Sequence, residues 1–185
     1  PGGDQSDFML VDVTQYNDVQ TALKEASQTI FLAAHSLPES LIDPRRNLEV
    51  NQGGLLNVLD VLRRSQGGKI LFASASSVYG NPPPGPVPES TPCAPKTPYA
   101  VSKYASEHYL RVFKELYGID YVCFRLFNVY GPGQLPESRA LIPRVIELIV
   151  QDREVEIFGD GSSSRDFILV DDVSRVFESA LRSNV

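Results

Sequence analysis

No tryptophan, one methionine, two cysteines and two histidines occur among these 185 residues, and each scarcity removes a class of protein. Two cysteines cannot build the disulfide framework of a small secreted domain. Cys93, in a proline-rich stretch, and Cys123, inside an apolar run, also lack metal-site spacing. His35 and His108 have no ligand companions, so no metal is expected and each should pack or face water. A basic excess is missing too: 17 Lys and Arg stand against 23 Asp and Glu, for a net charge of −6, and the cations are scattered. Nucleic acid is therefore not an expected partner. Without an apolar run of about 18 residues or a charged-then-apolar leader, neither a membrane span nor a signal peptide is expected, and a reducing, cytoplasmic setting fits.

What is present is enough apolar sequence to bury a core, 42% of the chain with 22% charged, arranged as alternating strands and helices. Phe8–Val13, Thr29–Ala34, Lys69–Ala75 and Tyr121–Phe127 read as strands, apolar on both faces. Asp18–Ala26, Leu48–Arg64 and a long stretch from Pro98 to about Tyr117 read as helices. That alternation predicts an α/β fold, a Rossmann-like doubly wound parallel sheet over residues 1–130. Gly80–Pro98 holds eight of the fourteen prolines and reads as an irregular surface loop. From residue 131 to 185 the pattern loosens into a helix at 139–151, a short strand at 155–158, a Gly/Ser turn, a strand at 167–170 and a helix capped by Asp171 or Asp172.

The long helix carries the strongest chemical signal. Thr97 suits its N-cap, Pro98 its first position and Gly118 a left-handed stop. Tyr99 and Lys103 are four apart and share a face. Val101, Ala105, Tyr109, Val112 and Leu116 form an apolar stripe expected to lie on the core. A phenol beside an ammonium ion is a poised acid/base, because the positive charge favours the tyrosinate and draws its pKa below about 10.

Tyr99 and Lys103 stand with Phe31-Leu32-Ala33-Ala34, Asn51-Gln52-Gly53-Gly54, Ser77-Val78-Tyr79-Gly80, Arg125-Leu126-Phe127-Asn128-Val129-Tyr130-Gly131-Pro132, Gly159-Asp160-Gly161 and Arg165-Asp166-Phe167. In that combination the chain resembles the extended short-chain dehydrogenase/reductase superfamily, in its NAD-dependent nucleotide-sugar epimerase/dehydratase family, UDP-glucose 4-epimerase-like. The resemblance implies NAD as cofactor, a nucleotide diphosphate sugar, most readily a UDP-sugar, as substrate, and a homodimer. It implies that Asp12 and Val13 meet the adenine, that Leu32, Ala33 and Ala34 underlie the dinucleotide, and that Asn51 and Ser74 also contact it. Lys103 would bond the nicotinamide ribose and lower the pKa of Tyr99, the acid/base. Asn128, Phe158 and Arg165 would hold the nucleotide sugar, in part of a small C-terminal substrate-binding lobe at 131–185.

Two departures stand out. The family's catalytic Ser or Thr, four residues before the Tyr of Val-Tyr-Gly, is here Ala75. Ser74 and Ser76 flank it, and Ser76 becomes the candidate only if a bulge re-aims it. The Gly-rich strand-to-helix turn that holds a pyrophosphate is absent, so the first strands of such a sheet are expected to be missing and the sequence to be an interior piece of a longer chain. The expected activity is epimerisation through a transient keto-sugar. A 4,6-dehydratase is the alternative, disfavoured because Ser76-Ser77 stand where that chemistry has acidic residues. A catalytically weakened binding protein is the other alternative.

Overall fold

In the computed structural model the described residues are 8–65, 68–135, 138, 140–157 and 159–183. They form two compact units: one runs to Arg125 and includes Ser183, the other is Leu126–Arg182.

In the first unit the elements are α1 (Tyr16–Ala22), β1 (Gln28–Phe31), α2 (Leu37–Ile42), α3 (Pro44–Asn47), a widened π-type turn at Leu48–Gly53 running into α4 (Gly54–Arg64), β2 (Lys69–Ala75), a 3₁₀ turn (Ser76–Tyr79), α5 (Pro98–Tyr117) and β3 (Asp120–Leu126). The strands lie in the order β1-β2-β3, with β1 parallel to β2 and Gln28 opposite Lys69. Phe72, Leu59, Leu55, Ile70 and Leu110, all at most 1% exposed, centre the core between this sheet and helices α4 and α5. Each such leucine contributes about 1.5–3 kcal/mol by leaving water. Gly54 lets α4 approach the chain before it, since a Cβ there would lie 2.7 Å from a Val13 methyl.

Four expectations need correction. Residues 8–13 form no strand, and Phe8, Met9 and Leu10 are exposed; among the described residues no strand lies beside them to complete a ladder, which an extended segment needs to satisfy its N–H and C=O groups. Residues 155–157 are not a strand either, for the same reason, and Phe158 lies outside the described residues. Helix α7 begins at Val170, so Asp171 and Asp172 sit in its first turn, where the helix dipole favours them, rather than at the cap.

The fourth concerns α5. Its buried residues are Ala100, Ser102, Lys103, Ser106 and Leu110, whereas Val101, Tyr109, Val112 and Leu116 are exposed. Small side chains let the helix come close to β2, and the inward hydroxyls bond within the helix, Ser106 Oγ donating to Ser102 O at 2.8 Å and Ser102 Oγ to Tyr99 O at 2.8 Å. The apolar stripe consequently faces out.

The second unit holds β4 (Asn128–Tyr130), α6 (Leu141–Val150), β5 (Phe167–Leu169) and α7 (Val170–Arg182). Strands β4 and β5 pair in parallel, with Asn128 opposite Phe167.

Candidate active site

The start of α5 is held from both directions. Thr97 Oγ1 accepts from Ala100 N at 3.1 Å, the expected cap. Ser40 of α2, fully buried, accepts from Tyr99 N at 3.3 Å. The segment after β1 is tied down by two asparagines. Asn47 donates to His35 O at 3.1 Å; Asn51 accepts from His35 N at 2.7 Å and donates to Ser102 Oγ at 3.0 Å. Asn51, 2% exposed, thus fastens the end of β1 to the Tyr/Lys helix, which accounts for a polar residue inside a helix.

Lys103 is 2% exposed. Its ammonium donates to Ala73 O at 2.7 Å and lies 4.8 Å from the Phe72 ring centre and 5.7 Å from that of Tyr99. An ammonium has three N–H donors, so two remain without a protein acceptor among the described residues. Burial lowers the Lys103 pKa to about 8 and raises that of Tyr99. The expected depression of the phenol by the ammonium is therefore overturned, because desolvation of the tyrosinate outweighs a cation that is itself partly desolvated and turned to a carbonyl.

Strand β2 stays regular through Ala75, whose φ of −145° and ψ of 148° are extended, and Ser76 opens the 3₁₀ turn with no bulge before it. Ser74 Oγ donates to Glu107 Oε1 at 2.6 Å. Ser77 Oγ, His35 Nδ1 and Thr29 Oγ1 are buried without a partner. Gly80 closes the turn at φ 68°, where a Cβ would sit 2.1 Å from Ala94 O; only glycine lets the proline-rich loop pass that close.

The remaining residues singled out from sequence behave as follows. Asp12 accepts from Thr14 N at 2.9 Å and Thr14 Oγ1 at 2.8 Å, bonds that hold its pKa below the usual value. Val13 O accepts from Asn57 Nδ2 at 2.9 Å. Leu32, Ala33 and Ala34 follow the end of β1, Leu32 and Ala34 exposed and Ala33 packed on the core. In the second unit Asn128 Nδ2 donates to Asp166 O at 2.8 Å, and Arg165 donates to Ser164 O at 2.7 Å. Arg165 makes no ion pair with Asp160 or Asp166; Asp160 accepts from Ser162 N and Oγ. His108 is exposed, packed edge-on to Tyr104. No metal-binding group of His, Cys, Asp or Glu occurs among the described residues, and both cysteines are free.

Sequence reasoning overlooked Glu107 and the role of Arg125. Glu107 is four residues past Lys103 on the same face, and an acid on a face that also buries lysine was the available signal.

The donors present fit the ribose end of a dinucleotide. A buried cation with two spare N–H groups matches a pair of vicinal hydroxyls, and the unpartnered His35 Nδ1 and Ser77 Oγ follow the carboxyl ends of β1 and β2. Strand ends are also where ligands of such sheets bind.

Comparison with known proteins identifies the family. A UDP-glucose 4-epimerase of Mycolicibacterium smegmatis is 35% identical over 181 residues, covering 96% of this chain and 58% of that protein. The structure of Thermus thermophilus UDP-glucose 4-epimerase in complex with NAD superposes with a TM-score of 0.90 at 34% identity, over 98% of this chain and 62% of that one. The Thermotoga maritima UDP-glucose 4-epimerase with UDP-glucose gives 0.91 at 31% identity, over 97% and 60%. Dehydratases of dTDP-glucose are also matched. The chain thus spans about three-fifths of the relatives' length. The pattern describing the NAD dependent epimerase/dehydratase family matches residues 2–185, and the chain belongs to that family.

Proposed function

We propose that the full-length protein uses NAD to epimerise a UDP-sugar at a carbinol carbon through a transient keto-sugar. The observation that carries this reading is the buried Lys103, with two uncommitted donors, one helical turn from Tyr99. Bound NAD supplies reversible hydride acceptance at the sugar carbon. Lys103 orients the ribose through its spare N–H groups. Tyr99 reacts as its tyrosinate, a form that burial disfavours by raising its pKa: it takes the sugar hydroxyl's proton as the sugar oxygen becomes a carbonyl, and gives it back when the carbinol re-forms. Arg165 and Asn128 bind the nucleotide sugar, for which a forked guanidinium suits a diphosphate.

Epimerase is favoured over 4,6-dehydratase because Ser76-Ser77 offer no acid/base for elimination of water. Incubation of the full-length protein with UDP-hexoses and UDP-uronic acids is expected to give a C4 epimer on chromatography. A 4-keto-6-deoxy sugar would overturn the reading. A weaker, binding-only role gains support from Ala75 in a regular strand; in that case NAD and UDP-sugar bind without turnover.

The homodimer and the cytoplasmic setting belong to this proposal. The outward stripe Val101, Tyr109, Val112 and Leu116 would be covered by the same face of a second copy, and two free thiols suit a reducing compartment. Leu116→Glu is expected to halve the mass measured by light scattering; an unchanged mass places the contact elsewhere.

A further inference from the structure

Two connections cross from α5 to β2. Lys103 Nζ donates to Ala73 O at 2.7 Å, and one helical turn on, Glu107 accepts from Ser74 Oγ at 2.6 Å. Arg125 of β3 extends the second. Its Nε lies 3.0 Å from Glu107 Oε1 and 3.2 Å from Oε2, and its Nη2 donates to Oε2 at 2.7 Å. Its Nη1 donates to Tyr79 Oη at 3.0 Å and to Glu89 O at 3.2 Å, with the guanidinium 4.9 Å from the Tyr79 ring centre. One guanidinium therefore joins the Tyr/Lys helix, the last residue of the Ser76–Tyr79 turn and a carbonyl of the proline-rich loop.

The two side chains are 12% and 25% exposed. A largely desolvated ion pair contributes little net stability compared with apolar residues of like size, so its geometry is the more informative feature. One edge of the fork, Nε with Nη2, goes to the carboxylate and Nη1 reaches two further acceptors, a pattern lysine cannot reproduce.

We propose that Glu107 and Arg125 are positioning residues that hold the end of β2 and the Ser76–Tyr79 turn in register with Tyr99 and Lys103. Their effect on turnover rests on the epimerase reading above; their effect on the turn does not. Through Ser74 the pair sets the strand residue between Lys103's acceptor and Ala75. Through Tyr79 it sets the far end of the turn that carries Ser76 and Ser77.

The test uses full-length protein with Arg125→Lys, Glu107→Gln and Ser74→Ala, the last removing one connection without burying a lone charge. Hydrogen exchange of residues 74–80 should quicken about tenfold while that of 28–31 matches the parent. With UDP-glucose, well below each melting temperature, kcat of Arg125→Lys should fall about tenfold while KM moves less than about threefold. Glu107→Gln, which keeps an acceptor for Ser74, should retain more activity than Glu107→Ala. Parent-like exchange across 74–80 overturns the proposal, as does faster exchange with parent-like kcat. If the parent itself fails to interconvert UDP-hexoses, the epimerase reading falls and the exchange measurement alone decides the positioning role.

Discussion

Arg125 in the first unit and Arg165 in the second carry the same charge under opposite conditions. Arg125 is bonded to Glu107, Tyr79 and Glu89, and the bonds to Glu107 and Tyr79 push its already high pKa higher still. Arg165 donates one bond to the neighbouring Ser164 carbonyl and is exposed, with no ion pair among the described residues. The contrast extends to their surroundings. Polar groups of the first unit, Lys103, Asn51, Ser74 and Glu107, are held by internal partners, so the reactive groups are positioned before any ligand arrives, which is how preorganisation lowers a barrier. The exposed guanidinium of the second unit has donors left over, and under the proposed function these go to the nucleotide sugar, so it should govern affinity. A change in the first unit should thus register in kcat or stability, and one at Arg165 in KM.

The largest expected effect is from Tyr99→Phe. It removes the phenolic oxygen and keeps the ring, so turnover should fall by about 10²–10⁴-fold, with NAD binding and melting temperature near the parent's. Because burial raises the Tyr99 pKa, the parent's rate should climb toward alkaline pH. A variant with parent-like turnover would remove Tyr99 from the chemistry.

Next is the stability change linked to Lys103. Its folded pKa, about 8, lies below the unfolded value of about 10.4. Between those values the unfolded chain binds more protons, so stability rises with pH there, by at most about 1.4 kcal/mol per unit, and is flat below. Burial acts oppositely on Cys123, raised to about 12, and on Tyr99, whose contributions fall as pH rises. Subtracting a Lys103→Met variant cancels both. Chemical denaturation from pH 7 to 10 should show the parent gaining on the variant above pH 8; a constant difference would mean that Lys103 keeps an ordinary pKa in the fold.

Much of this was legible in the sequence because local rules and tertiary packing agreed. The α5 caps, β2 from Lys69 to Ala75 and the Tyr99/Lys103 face follow from residue types at fixed spacings. The errors arose where a local pattern lacked the partner it needed. Phe8–Val13 reads as a strand but has nothing described to pair with. The apolar stripe of α5 reads as a core face, yet the helix turns its small and polar side inward because Lys103, Ser106 and Glu107 all find acceptors or donors there. Periodicity identifies a face and cannot say which of two faces is inside when the polar one finds partners there. The Arg125 network joins positions 74, 79, 89, 107 and 125, a separation that no local window spans.

Arg165→Ala sharpens the contrast between the arginines. Loss of a charge-assisted contact to a diphosphate is worth about 1.5–3 kcal/mol, so KM for UDP-glucose should rise about 10–100-fold, with kcat changed less and melting temperature held. Arg125→Ala should instead lower the melting temperature, since Glu107 is left largely buried without its partner. Equal KM effects from the two would erase the division of labour.

The smallest effect expected is a gain. Ala75 continues a regular strand, and its neighbour Ser74 has its hydroxyl committed to Glu107, so neither supplies the hydroxyl that would hydrogen-bond the sugar oxygen and relay its proton to Tyr99. Ala75→Ser puts a hydroxyl on the β2 face opposite to Ser74. Such a contact, when strengthened in the transition state, is worth at least about 1.4 kcal/mol, or tenfold in kcat. Ser77 Oγ, buried and without a partner, and Ser76 at the head of the turn are the competing sources. If Ala75→Ser is no faster than the parent while Ser77→Ala is slow, the hydroxyl comes from the turn rather than the strand; if Ser76→Ala alone is slow, it comes from the turn's first residue. Parent-like rates in all three variants would mean that Tyr99 exchanges its proton with the sugar directly.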